Sequence, residues 1–170
     1  MTNTEYSTSI HFSAQFGHLE ATKTLVERGA AVNNTIEYGV TALMVVAKLG
    51  KLEISRYLTE MGADINIRDA KHNNTDLYYA AKSDSVDIIE LLLNKGISVN
   101  MTNIQGSTPL HYSAQFGHVE ATNALVERGA AVNNIDEYHV TARMVAAKSD
   151  EFEIVRSLTE IIFGINIRHA

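Results

Sequence analysis

The sequence predicts an all-α solenoid of five stacked helix–turn–helix units with projecting hairpin turns, and three observations in its 170 residues predict it. A block returns: SAQFGHLEATKTL at 13–25 recurs as SAQFGHVEATNAL at 113–125, and the likeness runs on through VERGAAVNN to the INIR segments at 65–68 and 165–168. A shorter period lies inside that block. Threonine recurs at Thr8, Thr41, Thr75, Thr108 and Thr141, at spacings of 33, 34, 33 and 33. Three residue types then keep fixed offsets from the threonine. Alanine falls six places later (Ala14, Ala47, Ala81, Ala114, Ala147), leucine seventeen (Leu25, Leu58, Leu92, Leu125, Leu158) and asparagine twenty-five (Asn33, Asn66, Asn100, Asn133, Asn166). Self-similarity at such a period marks a repeat architecture. The units run over about 3–35, 36–69, 70–102, 103–135 and 136–170, one domain over 1–170.

The fourth unit shows the elements most plainly. Pro109 follows Thr108, and proline suits a first helical position because the N–H it lacks would be unpaired there. Leu110, Ser113 and Ala114 share one face of a two-turn helix that Gly117 ends. A second helix starts near Val119 and buries Ala121, Leu125 and Val126 at helical spacing. Gly129 closes it in the left-handed conformation, and Gly29, Gly62 and Gly96 hold the same place. An extended Ala-Val-Asn and a turn such as Asn103-Ile104-Gln105-Gly106 lead to the next threonine. Helices this short are marginal alone. Each unit must therefore bury its apolar face on its neighbours, and the recurrent alanine lets helices approach to ~8–10 Å.

Thr108-Pro109-Leu110-His111-x-x-Ala114-x-x-Gly117-His118, with Leu125, Gly129-Ala130 and Val132-Asn133, closely resembles the ankyrin repeat and its T-P-L-H-x-A signature. The resemblance covers nearly the whole chain. The other units depart from it as Thr8-Ser9-Ile10-His11, Thr41-Ala42-Leu43-Met44, Thr75-Asp76-Leu77-Tyr78 and Thr141-Ala142-Arg143-Met144. It implies L-shaped units whose hairpin turns and first helices form a concave surface that binds proteins. The fifth unit strays furthest, with Arg143 in place of a core leucine, Ile162 at the glycine position and Phe163 in place of a small alanine. Left-handed geometry is a steric outlier for a β-branched residue, so the last helix is expected to end differently or to run on. Ile165-Asn166-Ile167-Arg168 reads as the start of a further connector.

Composition bounds the function. Hydrophobic residues make up 45% and charged residues 20%, with a net charge of −6. No basic cluster offsets that charge, so a general nucleic-acid binder is excluded. With no cysteine there is neither a disulfide nor a thiolate site. The first residues lack a secretory signal, no apolar run approaches the ~20 residues of a membrane span, and a reducing cytoplasmic setting is the default. His11 and His111 end the Thr-Pro-Leu-His signature, where the resemblance implies structural hydrogen bonds; His18 and His118 follow the inter-helix glycine and are read as structural too. His72 and His139 fall in the turns, where histidine tolerates unusual backbone angles. No metal or cofactor is expected, and no catalytic motif appears. Glu20/Glu120 and Glu27/Glu127 read as solvated helix charges. Leu58-x5-Asp64-Ile65-Asn66 resembles the pattern around asparagines hydroxylated in some ankyrin repeats, against the plainer expectation of an asparagine bonding its own turn.

The function expected is a protein–protein interaction module, not an enzyme. The alternative is a structural or self-assembling array, or a duplicated scaffold with no dedicated partner. The resemblance places the exposed positions at the hairpin tips, before the threonine and before the inter-helix glycine. In the first two units these include Phe16, Glu37, Tyr38, Val40 and Lys48. They continue as Lys71, His72 and Lys82, then Ile104, Gln105, Gln115 and Phe116, then Glu137, Tyr138 and Lys148. Phe16/Phe116 and Tyr38/Tyr138 form matched aromatic pairs typical of interface anchors; the competing expectation for the phenylalanines is that they lean into the neighbouring unit as core. A monomer is expected, with self-association through the end repeats as the alternative.

Overall fold

The computed structural model describes the backbone of residues 3–168 and the side chains of 9–164, so the side chains of Thr8 and Asn166 lie outside the described residues. Among the described residues ten α-helices follow one another: α1 (Asn3–Gln15), α2 (Leu19–Glu27), α3 (Ala42–Lys48), α4 (Leu52–Glu60), α5 (Asp76–Lys82), α6 (Val86–Asn94), α7 (Pro109–Gln115), α8 (Val119–Glu127), α9 (Ala142–Lys148) and α10 (Phe152–Arg168). Among the described residues there is no strand, only isolated bridges that close two turns, Thr35 to Thr41 and Ile135 to Thr141. The odd-numbered helices pack in sequence as an inner layer and the even-numbered helices as an outer one, with the inner layer the more closely packed.

The repeating residues explain the stack. Ala14, Ala47, Ala81 and Ala114 are wholly buried between inner helices, where a larger side chain would push the layers apart. Leu43, Leu77 and Leu110 on the inner helices and Leu58, Leu92, Leu125 and Leu158 on the outer ones complete the core. Threonine precedes α3, α5, α7 and α9, and its side chain caps α3 and α9. Thr41 Oγ1 accepts from Met44 N at 3.1 Å, and Thr141 Oγ1 from Met144 N at 3.4 Å. Thr108 N donates to His111 Nδ1 at 3.1 Å, the reciprocal half of a capping box. Serine and threonine tie the two layers within a unit: Ser13 to Thr22 and Ser113 to Thr122, each at 2.9 Å.

The asparagine twenty-five places on reaches further than its own turn. Asn33 Oδ1 accepts from Asp64 N at 2.8 Å while its Nδ2 donates to Gly62 O at 3.2 Å; Asn100 does the same with Ala131 N and Gly129 O. Asn33 and Asn100 thus fasten one unit to the outer-helix end of the next, whereas at Asn66 it is the backbone N–H that donates to Asp64 Oδ1 within its own turn.

Both ends of the stack correct the sequence reading. Helix α1 starts at Asn3, so Thr8 lies inside a helix rather than before one. Helix α10 runs for 17 residues, through Ile162 and through the 165–168 segment expected as a connector. The cause is local. Gly29, Gly62, Gly96 and Gly129 take φ of 86° to 96° to stop α2, α4, α6 and α8, and Ile162 cannot adopt that conformation, so the helix continues. Arg143 is half-buried where its counterparts are core leucines, and Ala147 is exposed. In the turns, His139 takes a left-handed φ of 59°, but in the third unit Asn73 rather than His72 does so, at 64°.

Candidate partner-binding groove

The inner helices show one face to the core and another to a groove beneath the hairpin tips. Four, seven and eight residues after the threonine fall on one stripe at helical spacing. The fourth place holds Phe12, Val45, Tyr79, Tyr112 and Val145; the seventh holds Gln15, Lys48, Lys82, Gln115 and Lys148. None of these is core, although most of the fourth-place residues are large and apolar.

The tips are built by acidic or amide side chains that bind their own turn. Asp69, only 2% exposed, has Oδ1 accepting from Lys71 N at 2.9 Å and His72 N at 2.6 Å, and Oδ2 accepting from Asn74 N and the Tyr79 hydroxyl. Asn103 Oδ1 accepts from Gln105 N and Ser107 N, and Asp136 Oδ1 from Tyr138 N and Val140 N. Successive tips are then strung together by backbone bonds: Ala70 N to Tyr38 O at 2.7 Å, Ile104 N to His72 O at 3.0 Å and Glu137 N to Gln105 O at 2.9 Å.

In the first, third and fourth units the residue three after the threonine anchors the following tip from below; in the second and fifth that place is held by Met44 and Met144. His11 Nε2 lies 3.0 Å from Val40 O and His111 Nε2 3.0 Å from Val140 O. In the third unit Tyr78 takes over, sharing its hydroxyl proton between Ser107 O at 2.6 Å and Met101 O at 2.5 Å. Burial lifts the pKa of Tyr78 well above the usual phenol range; Tyr79 is raised by burial first and then by the neighbouring Asp69 charge. Burial lowers His111, which keeps it neutral with Nδ1 accepting and Nε2 donating. Both its nitrogens are therefore committed to the scaffold. His118 Nε2 is bonded to Lys82 O at 2.9 Å. Among the described residues no three His, Asp or Glu side chains gather as a metal site.

Three hollows run together along the groove. The largest, about 410 Å³, lies between Tyr38 and Val40 of one tip, Lys71 and His72 of the next, and Tyr79, Lys82, Tyr112 and Phe116 on the inner helices. It shares Tyr112 and Gln115 with a hollow of about 360 Å³ that includes Tyr138 and Lys148. On its other side it shares Val40 and Tyr79 with one of about 260 Å³ beside Lys48. The expected site residues are thus largely brought together. Glu37, Ile104, Gln105 and Glu137 stand at the tips outside these hollows, and Phe16 lies in the first unit, its ring stacked on His18. Phe16 and Phe116 are 64% and 42% exposed, so neither belongs to the core. Phe116 instead lies under Lys82 Nζ, 5.0 Å from the ring centre. The sequence reading missed Tyr79, Tyr112, Val45 and Val145. Their signal was an apolar residue four places after every threonine, on a face that the buried leucine and alanine do not share.

A solenoid of paired short helices with hairpin tips on one edge defines a class of repeat protein. The chain matches a family model described as ankyrin repeats (3 copies) twice, over 1–69 and 77–169, and it belongs to the ankyrin-repeat family. Proteins built from these repeats are generally protein–protein interaction modules. Over 105 residues the chain is 37% identical to the probable 26S proteasome regulatory subunit p28 of Saccharomyces cerevisiae, covering 60% of this chain and 46% of that protein. It is 32% identical to a putative ankyrin repeat protein of Fowlpox virus, covering 54% of this chain and 28% of that one. It is 34% identical to the Drosophila melanogaster ankyrin repeat and KH domain-containing protein mask, covering 62% of this chain and 3% of that one. The matched stretch spans less than half the length of each relative. Among the described residues no helix is long and apolar enough to cross a membrane.

Proposed function

We propose that the chain is a non-enzymatic binding module, acting in the cytoplasm as a monomer, that holds one partner protein in the groove between its hairpin tips and inner helices. One observation carries the reading. Tyr38, Phe116 and Tyr138 remain 59%, 42% and 72% exposed along a face that the hollows make continuous. Large aromatics left uncovered at the rim of a pocket are the usual anchors of a protein interface. At roughly 10 Å per repeat, the paired tyrosines stand about 30 Å apart, a span suited to a long or two-part partner. The test replaces Tyr38→Ala with Tyr138→Ala against a partner recovered by pull-down, with loss of binding by about tenfold or more expected. Binding that survives this change but is lost on mutating Glu27 and Glu127 would move the site to the outer helices.

A further inference from the structure

We propose that the groove takes an acidic peptide segment of its partner, with aromatic or aliphatic side chains entering successive hollows; this rests on the groove being the interface. The whole chain carries a net charge of −6, yet the charge facing the groove has the opposite sign. Lys48, Lys82 and Lys148 occupy one register in the last turns of α3, α5 and α9, one to each hollow, and Lys71 adds a fourth from a tip. The helix dipole favours cations at those termini but supplies no counter-charge to them. Among the described residues none of the four has an ion-pair partner, a state they share with Arg56 and Lys95 on the outer helices, but only the four lysines are gathered along one set of hollows.

The acids lining the hollows, Asp69 and Asp136, offset only part of the charge of the four lysines, and both carboxylates are already engaged. Asp69 is buried with both oxygens bonded, and Asp136 is bound to the backbone of its own turn. Glu37 and Glu137 are exposed at the tips, outside the hollows. A neutral partner laid along this face would bury a row of ammonium groups with too little charge to balance them, a costly arrangement. A cationic partner meets like charge, and the aromatic face it would seek at Phe116 is already occupied by Lys82. Carboxylates flanking an apolar side chain satisfy both features of each hollow at once.

The experiment selects a phage-displayed random dodecapeptide library on the full chain, then measures a fluorescein-labelled winner by anisotropy. Peptides rich in Asp and Glu beside aromatic residues are expected. Their affinity should fall about tenfold in Lys48→Gln/Lys82→Gln/Lys148→Gln, the sum of three modest surface charge contacts, and should weaken as salt is added. These lysines are exposed, so the substitutions leave the core untouched. Selection of neutral or basic peptides, failure to select any, or an oligo-dT strand displacing the peptide would overturn the proposal. Neutral peptides released by Tyr38→Ala with Tyr138→Ala would sink the acidic occupant while leaving the groove as the interface. Peptides indifferent to both sets of changes would sink both readings.

Discussion

Asp76 stands where the other units carry Ser9, Ala42, Pro109 and Ala142, directly after the threonine. It is 1% exposed, neither carboxylate oxygen has a partner, and Thr75 Oγ1 beside it has none either. An acid in the first turn of a helix is ordinarily favourable and solvated, so the sequence marked Asp76 as a departure without revealing that its side chain is enclosed. Burial raises its pKa well above the free value, so the folded chain holds a proton that the unfolded chain gives up. Its contribution to stability is therefore full below the unfolded value of about 3.9 and is lost as pH rises through the folded one. His111 runs the other way: with its folded pKa lowered, its contribution is present above about 6.5 and drains as pH falls toward the folded value. Replacing Asp76→Ala should stabilise the protein by about 1–3 kcal/mol near neutral pH, and by less in acid. Thermal melts of both proteins between about pH 5 and about pH 8 measure this; equal melting temperatures across the range would refute it.

The elements differ in how well their edges could be read. The starts of α3, α5, α7 and α9 and the ends of α4, α6 and α8 fall where the threonine and glycine signals place them, because those signals are local; α5 and α9 end without a glycine, at Asp84 and Asp150 in the left-handed conformation. The start of α1 was not legible, since Thr8 lies within it; the lack of a stop at Ile162 was legible, but the continuation of α10 through 165–168 was not. The groove stripe was half legible for a similar reason. Exposed lysines and tip tyrosines stood out, whereas Tyr79 and Tyr112 were not singled out, because only the neighbouring unit shows which face of the helix is covered. The fifth unit is expected to be the weakest element of the stack. Arg143 replaces a core leucine, Met144, Phe152 and Phe163 are 52%, 69% and 62% exposed, and α9 packs against only one inner helix among the described residues. In a solenoid, stability is a sum over nearest neighbours, so hydrogen exchange should be fastest over 141–168. Protection there equal to that over 75–132 would show this part of the stack to be as firmly held as the middle.

At the scale of the whole molecule, those exposed side chains of the fifth unit set the binding module against the self-assembling array. Light scattering over a wide concentration range should return a single monomer mass; a mass that climbs with concentration would favour assembly. The same stack also has mechanical properties. Hydrogen bonds string the tips of the second to fifth units together along one edge, while the outer helices touch one another far less. A slab packed more closely along one edge than along the other bends about the closer edge, as a book opens about its spine. Thermal flexing then opens and closes the outer side while the pitch of the tips hardly changes. The lysines and tyrosines therefore keep their spacing as the array breathes, and a ligand bridging several units meets a ruler with fixed graduations. Its grip rests on matching that pitch, and a ligand whose anchors fall out of step cannot be accommodated by stretching the protein to suit.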